Sequence, residues 1–173
     1  MRELETPRLR FRKFTPGDLQ DLAAVRADAD VMRYIGCGRP ESLVEVQLIL
    51  DTVLTHWNEH GFGPWALIEK PGNTLIGWCG LCYLENTRDV EIAYGIAKQY
   101  WRQGLASEAA AATIKYGFEQ LHLDRIVAVA WPDNLISRRL MEKLRLKYAK
   151  QANFYNAEVV YYAISREDYQ MQA

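Results

Sequence analysis

The stretch from Val90 to Glu108 constrains this chain most. Val90-Glu91-Ile92-Ala93-Tyr94-Gly95-Ile96 has the composition of a strand. Tyr100-Trp101-Arg102-Gln103-Gly104 then gives way to Leu105-Ala106-Ser107-Glu108 and an alanine-rich segment that predicts a helix to Leu121. A strand that feeds a helix through so short a loop leaves the loop and first-turn amides unpartnered at the positive end of the helix dipole. Gly104 lets an anion approach that backbone with no side chain in the way, so the junction reads as a phosphate site. The Walker pattern GxxxxGK[ST] is absent, which argues against a nucleotide triphosphatase.

Elements on either side predict a mixed α/β sheet. Arg8 to Arg12 alternates as a half-buried strand does, with its arginines on one face that reads as a solvated edge. Thr15-Pro16-Gly17-Asp18 opens a helix continued by Leu19, Leu22 and Val25. Val46, Leu50, Val53 and Trp57 predict a second helix, which Gly61 ends. Trp65 to Glu69, Leu75 to Leu84 and Val90 to Ile96 predict an antiparallel meander. Ile126 to Trp131, free of charge on both faces, predicts a central strand. A helix from Asn134 to about Leu144, then a hairpin of Tyr148 to Phe154 with Val159 to Ile164, complete the pattern.

With 173 residues, no internal repeat and no linker, residues 1–173 read as a single domain. The 21 basic and 22 acidic residues nearly cancel, so nucleic acid and anionic membranes are not expected partners. No apolar run approaches the roughly 20 residues of a membrane span, and the start Met-Arg-Glu-Leu-Glu lacks a signal peptide's apolar segment, so a cytoplasmic protein is expected. Cys37, Cys79 and Cys82 are odd in number and suit a reducing compartment. Cys79 and Cys82 form a CxxC, but three residues apart on a strand they point to opposite faces, which disfavours a shared metal or disulfide. His56, His60 and His122 lack metal-ligand spacing, Gly-x-Ser-x-Gly is missing, and no metal is expected.

On these residues the chain resembles the GNAT superfamily of acetyltransferases, whose diphosphate loop has the pattern Gln/Arg-x-x-Gly-x-Gly/Ala, met here by Gly104 and Ala106. Trp101 occupies the first motif position, as in the subgroup resembling ribosomal-protein N-terminal acetyltransferases of the RimJ and RimL kind. There a Tyr-Trp-Gly-Gln-Gly-Leu-Ala-x-Glu segment is typical, and Arg102 stands in place of a glycine. The likeness extends to Thr6-Pro7-Arg8-Leu9-Arg10-Phe11-Arg12, Ile76-Gly77, Glu91-Ile92-Ala93-Tyr94, and Asn134 with Ser137, Met141, Glu142 and Lys143.

The resemblance implies a GNAT fold, a mostly antiparallel sheet whose fourth and fifth strands splay apart, with acetyl-CoA as cofactor. The pantetheine arm would lie in the gap against the backbone of Ile92, Ala93, Tyr94 and Ile96. The diphosphate would rest on Arg102, Gln103, Gly104, Leu105, Ala106 and Ser107. Asn134 and Ser137 would meet the arm, and Arg138, Arg139 and Lys143 would meet nucleotide phosphates, although cations at such positions also suit a plain solvated helix face.

The acceptor would be a primary amine, by subgroup resemblance a protein N-terminus, with a small amine or amino-acid-like metabolite as the rival acceptor. A non-catalytic coenzyme A-binding domain, monomeric or homodimeric like the enzyme, is the rival class. An amine must shed a proton before it attacks, and Glu91, on the strand that leads into the loop, is the candidate base. An ion pair between Glu91 and a nearby arginine is the structural alternative. The tyrosine that many members of the superfamily use to protonate the leaving thiolate is replaced by Met141, which leaves Ser137 or the departing amine itself as proton source. Arg145 stands where the family's helix-ending glycine would be, so it either carries left-handed strain or reshapes the turn. Trp57, Phe62, Trp65, Tyr83 and Tyr94 could line an acceptor pocket, although aromatics at such spacings more often fill a core. Residues Gly36 to Ser42 and the hairpin near Asn156 are expected to shape acceptor choice.

Overall fold

A computed structural model of the chain describes residues 4–171, leaving the first residues of the signal-peptide reading outside the described part. In chain order the elements are β1 (Leu4–Glu5), β2 (Leu9–Arg12), α1 (Leu19–Arg26), α2 (Ala29–Met32), α3 (Leu43–His60), β3 (Pro64–Glu69), β4 (Thr74–Tyr83), β5 (Val90–Ile96), α4 (Leu105–Glu119), β6 (Arg125–Ala130), α5 (Leu135–Lys143), β7 (Lys147–Phe154), β8 (Ala157–Ser165) and α6 (Arg166–Gln170). The strands form one sheet in the order β1-β2-β3-β4-β5-β6-β8-β7. All neighbours are antiparallel except β5 and β6, whose parallel pairing amounts to Glu91 against Val127.

That one register point is where the sheet splits. From Ile92 onward β5 runs without a ladder partner on its β6 side, which leaves a wedge of unpaired main chain in mid-sheet. The expected splay is therefore present. It lies between the fifth and sixth strands rather than the fourth and fifth, because two-residue β1 pairs outside β2 and adds one to the count.

The long helices end where their residues dictate. Ser42 Oγ accepts from the Glu45 amide at 3.3 Å while the Glu45 carboxylate takes the Ser42 amide at 2.8 Å, a reciprocal cap that starts α3. Asn134 Oδ1 accepts from the Ser137 amide at 3.2 Å and starts α5. After α5, the Leu146 amide reaches Met141 O and the Arg145 amide reaches Glu142 O, a Schellman closure with Arg145 at φ 67°. Arg145 thus keeps the family turn and bears its left-handed conformation.

One core joins α4 and α5 to one face of the sheet, with Leu9, Phe11, Leu67, Ile76, Leu81, Ile92, Ala110, Ile114, Met141 and Tyr162 all buried. A second, against the other face, holds α1, α2 and α3 through Leu22, Val25, Met32, Leu50, Ala66, Ile68 and Trp78. Burying such side chains contributes about 1.5–3 kcal/mol each before the entropy of ordering them is subtracted. The arginines at 8, 10 and 12 are engaged rather than merely solvated. Arg12 pairs with Asp18 at 2.7 Å, Arg10 meets Asn73 and Arg8 meets Glu108, and β2 is not the edge strand. No described helix is long and apolar enough to cross a membrane.

Candidate active site

Period-2 alternation gives β5 two chemically different faces. Ile92, Tyr94 and Ile96 belong to the side of α4 and α5, whereas Glu91, Ala93 and Gly95 face the other way. Gly95 is required there: a Cβ would stand 2.3 Å from the Trp78 ring that fills the space opposite it. The CxxC splits across the same two faces as expected. Cys79 Sγ lies 3.2 Å from Thr113 on α4, while Cys82, opposite Glu91, donates to its carboxylate at 3.8 Å.

Glu91 is 6% exposed, and among the described residues no arginine pairs with it. Arg125, at the start of the neighbouring strand β6, is bound to Asp89. Burial raises its carboxyl to about 7. The hydrogen bonds from Tyr155 and Cys82 pull in the opposite direction, and the nearby Glu85 charge adds to the rise. A carboxyl held there changes charge near neutral pH, which is what a general base for an amine requires. Its strongest partner is the Tyr155 hydroxyl, which donates to Oε1 from the turn between β7 and β8. The alternating pattern of β7 and β8 announces the hairpin but carries no sign of this contact, since 64 residues separate its ends.

On the α4 and α5 side, Tyr94 Oη and Ser137 Oγ lie 2.7 Å apart and join β5 to α5 across the wedge. Burial pushes the Tyr94 phenol up to about 12, so it stays protonated at neutral pH. Of the five aromatics considered for a pocket, only Tyr94 borders the wedge. Trp57, Phe62 and Trp65 are buried in the core, and Tyr83 packs with Phe62 and His60. His56 is structural: one ring nitrogen meets Phe62 O at 2.8 Å, and the other accepts from the Tyr83 amide at 3.3 Å.

Beyond Ile96 the chain enters the predicted phosphate loop. Gly104 caps α4 at φ 77°, and Arg102, in the family's glycine position, takes φ 60°. Among the described residues, none of the main-chain N–H groups from Arg102 to Ser107 has an acceptor, and the first helical bond is donated by Glu108 to Gly104 O. Six consecutive unpaired donors at the start of a 15-residue helix fit a diphosphate in number and polarity. Arg8 braces the loop from behind: it donates to Gln103 O at 2.7 Å and to Glu108 Oε2 at 2.7 Å. Arg139 and Lys143 are exposed on α5 with no ion-pair partner among the described residues. Arg138 is held by Pro132 O and Tyr162 Oη.

The Gly36 to Ser42 segment and the β7–β8 hairpin both border Trp131 or the cavity beside it. Gly38 packs so close to Trp131 that a Cβ would stand 2.9 Å from its ring, and Tyr34 meets the same indole edge-on. Trp131, Pro132 and Asp133 line a cavity of about 400 Å³ together with Ala157 and Glu158 of the hairpin.

A split sheet, free donors at a helix start beside it and a buried carboxyl facing away from them define an acyl-CoA-binding transferase fold. A family model described as "Acetyltransferase (GNAT) domain" matches residues 8–147, and the chain belongs to this family; it is an acetyl-CoA-dependent N-acetyltransferase. It is 34% identical over 142 residues to YoaA, an uncharacterized N-acetyltransferase of Bacillus subtilis, covering 82% of this chain and 80% of that protein. The crystal structure of a GNAT-family acetyltransferase from Bacillus anthracis aligns at a TM-score of 0.81 and 28% identity, over 96% of this chain and 99% of that one. RimL, a ribosomal L7/L12 alpha-N-protein acetyltransferase in complex with coenzyme A, shares the fold at a TM-score of 0.80 and 13% identity, over 96% and 99% of the two chains.

Proposed function

We propose that this enzyme acetylates a protein N-terminal α-amino group by direct attack in a ternary complex, with Glu91 as general base. Acetyl-CoA supplies the acetyl group as an activated thioester. The free amides from Arg102 to Ser107 hold its diphosphate, and Arg139 and Lys143 meet the nucleotide phosphates. The unpaired edge of β5 at Ile92, Ala93, Tyr94 and Ile96 receives the pantetheine arm, which Asn134 and Ser137 contact from α5. Ser137, backed by the Tyr94 phenol, is the hydroxyl offered to the departing sulfur in place of the tyrosine that Met141 replaces.

The observation that carries the α-amino reading is the carboxyl of Glu91, held at about 7 on the face turned away from the phosphate loop. An N-terminal ammonium has a reference pKa of about 7.7–8.0, closer to such a carboxyl than a lysine ammonium at about 10.4, so its proton is the easier of the two to hand to Glu91. The fold shared with RimL agrees with an α-amino acceptor.

A second reading, a small amine that carries further positive charge, is favoured by Asp133 and Glu158 in the cavity beside Trp131. Coenzyme A release measured with N-terminal peptides, free lysine and polyamines separates the two. The first reading expects peptide turnover that is lost when the N-terminus is blocked. Faster turnover of polyamines, abolished by Asp133→Asn with Glu158→Gln, replaces it with the second.

A further inference from the structure

The β7–β8 turn places a bulky aromatic where a hairpin normally has Asn-Gly. Tyr155 and Asn156 both have positive φ, at 55° and 58°, and a non-glycine residue there costs roughly 1–2 kcal/mol. The conformation is held at both ends: the Tyr155 amide donates to Glu85 Oε2 at 2.5 Å, and its hydroxyl donates to Glu91 Oε1. Strain that its surroundings maintain in this way is characteristic of functional positions. Tyr155 is 44% exposed while Glu91 is 6% exposed, so one side chain joins the buried carboxyl to the surface. Ala157 and Glu158, just after the turn, line the cavity shared with Trp131, which puts the turn that carries Tyr155 next to that cavity in the chain. The other titratable groups facing Glu91 are Cys82, 3.8 Å away on β4, and Glu85, and neither offers such a path.

We propose that Tyr155 is the proton relay of this site, its phenol taking a proton from the acceptor ammonium as it passes its own to Glu91. The inference rests on Glu91 being the base. In the step, one N–H bond of the ammonium breaks and an O–H bond forms at the phenol oxygen. The phenol's original O–H bond breaks and one forms at Glu91 Oε1. The nitrogen keeps the freed electron pair for attack, and Glu91 later returns the proton to water by the reverse path. Burial and the Glu91 charge both push the phenol up, so it carries its proton at rest and gives it up only as it takes another.

Tyr155→Phe keeps the ring and removes only the hydroxyl. Against the best N-terminal peptide, it is expected to lower kcat by about 100-fold or more, within the usual range for a positioned proton carrier, to move the acid limb of the rate profile to higher pH, and to leave acetyl-CoA affinity unchanged. If Glu91→Gln abolishes turnover while Tyr155→Phe matches the parent in rate and profile, the relay is overturned and the base stands. If Glu91→Gln itself keeps the parent rate and profile, the base reading fails first. A readout that needs no acceptor accompanies these: infrared titration of the Glu91 carboxyl must shift upward in Tyr155→Phe, and an unmoved titration overturns the coupling.

Discussion

Tyr94 and Ser137 close a 2.7 Å hydroxyl contact across the wedge between β5 and β6, joining the strand that carries Glu91 to the helix that Asn134 starts. Because Tyr94 and Glu91 project from opposite faces of one strand, thioester and amine can be approached from opposite sides of the sheet. Ser137→Ala removes the α5 half of this contact and the polar partner proposed for the arm. One hydrogen bond contributes about 0.5–1.5 kcal/mol, so calorimetry should show the Kd for acetyl-CoA rising roughly 2- to 10-fold with the fold intact.

A second prediction concerns charge at the phosphate loop. Glu108 lies in the first turn of α4, and Arg8 with Thr6 occupies its carboxylate, holding it below the ordinary carboxylate range despite partial burial. Arg8→Ala leaves that negative charge uncompensated beside the unpaired loop amides and frees Gln103 O. Coenzyme A affinity should fall, and fall further at low salt, where repulsion is less screened. Adding Glu108→Gln should restore most of it, and failure of that double variant would leave a purely structural brace.

The strained turn after α5 gives a stability test. Arg145 at φ 67° costs about 1–2 kcal/mol relative to glycine, whereas glycine adds about 0.4–1 kcal/mol of unfolded-chain entropy. Arg145→Gly should therefore stabilise by about 0.5–1 kcal/mol. Thermal unfolding should show a Tm higher by roughly 1–4 °C for a chain of this size.

Periodicity made the main elements and the phosphate loop legible, because strand alternation, Gly104 and the alanines of α4 act locally. What it missed depends on distant partners or on too few residues to show a period. Arg8 read as solvated because Glu108, which it meets, is 100 residues away. Helices α2 and α6 span four and five residues, and only Asp28 and Ser165, whose side chains accept from Asp30 N and Asp168 N, mark their starts. Glu91 was legible as the candidate base from its place on β5. Its raised pKa and its Tyr155 partner were not, since burial and a hairpin that folds back over the strand belong to the tertiary structure alone.

The most direct test of the account is the pH dependence of kcat/KM for wild type and Glu91→Gln, with acetyl-CoA binding followed in parallel. Burial raises the folded carboxyl to about 7 from its ordinary value of 4.5, so the base is protonated and idle below that pH and free above it. The account predicts an acid limb near pH 7 in the wild type. In Glu91→Gln, which leaves acetyl-CoA binding intact, that limb disappears with a rate loss of at least about 100-fold. Stability follows the opposite sense: with its folded pKa raised, Glu91 favours the fold below about pH 4.5 and loses that contribution as pH rises through 7. A variant that turns over at the wild-type rate with the same limb would contradict the assignment of Glu91.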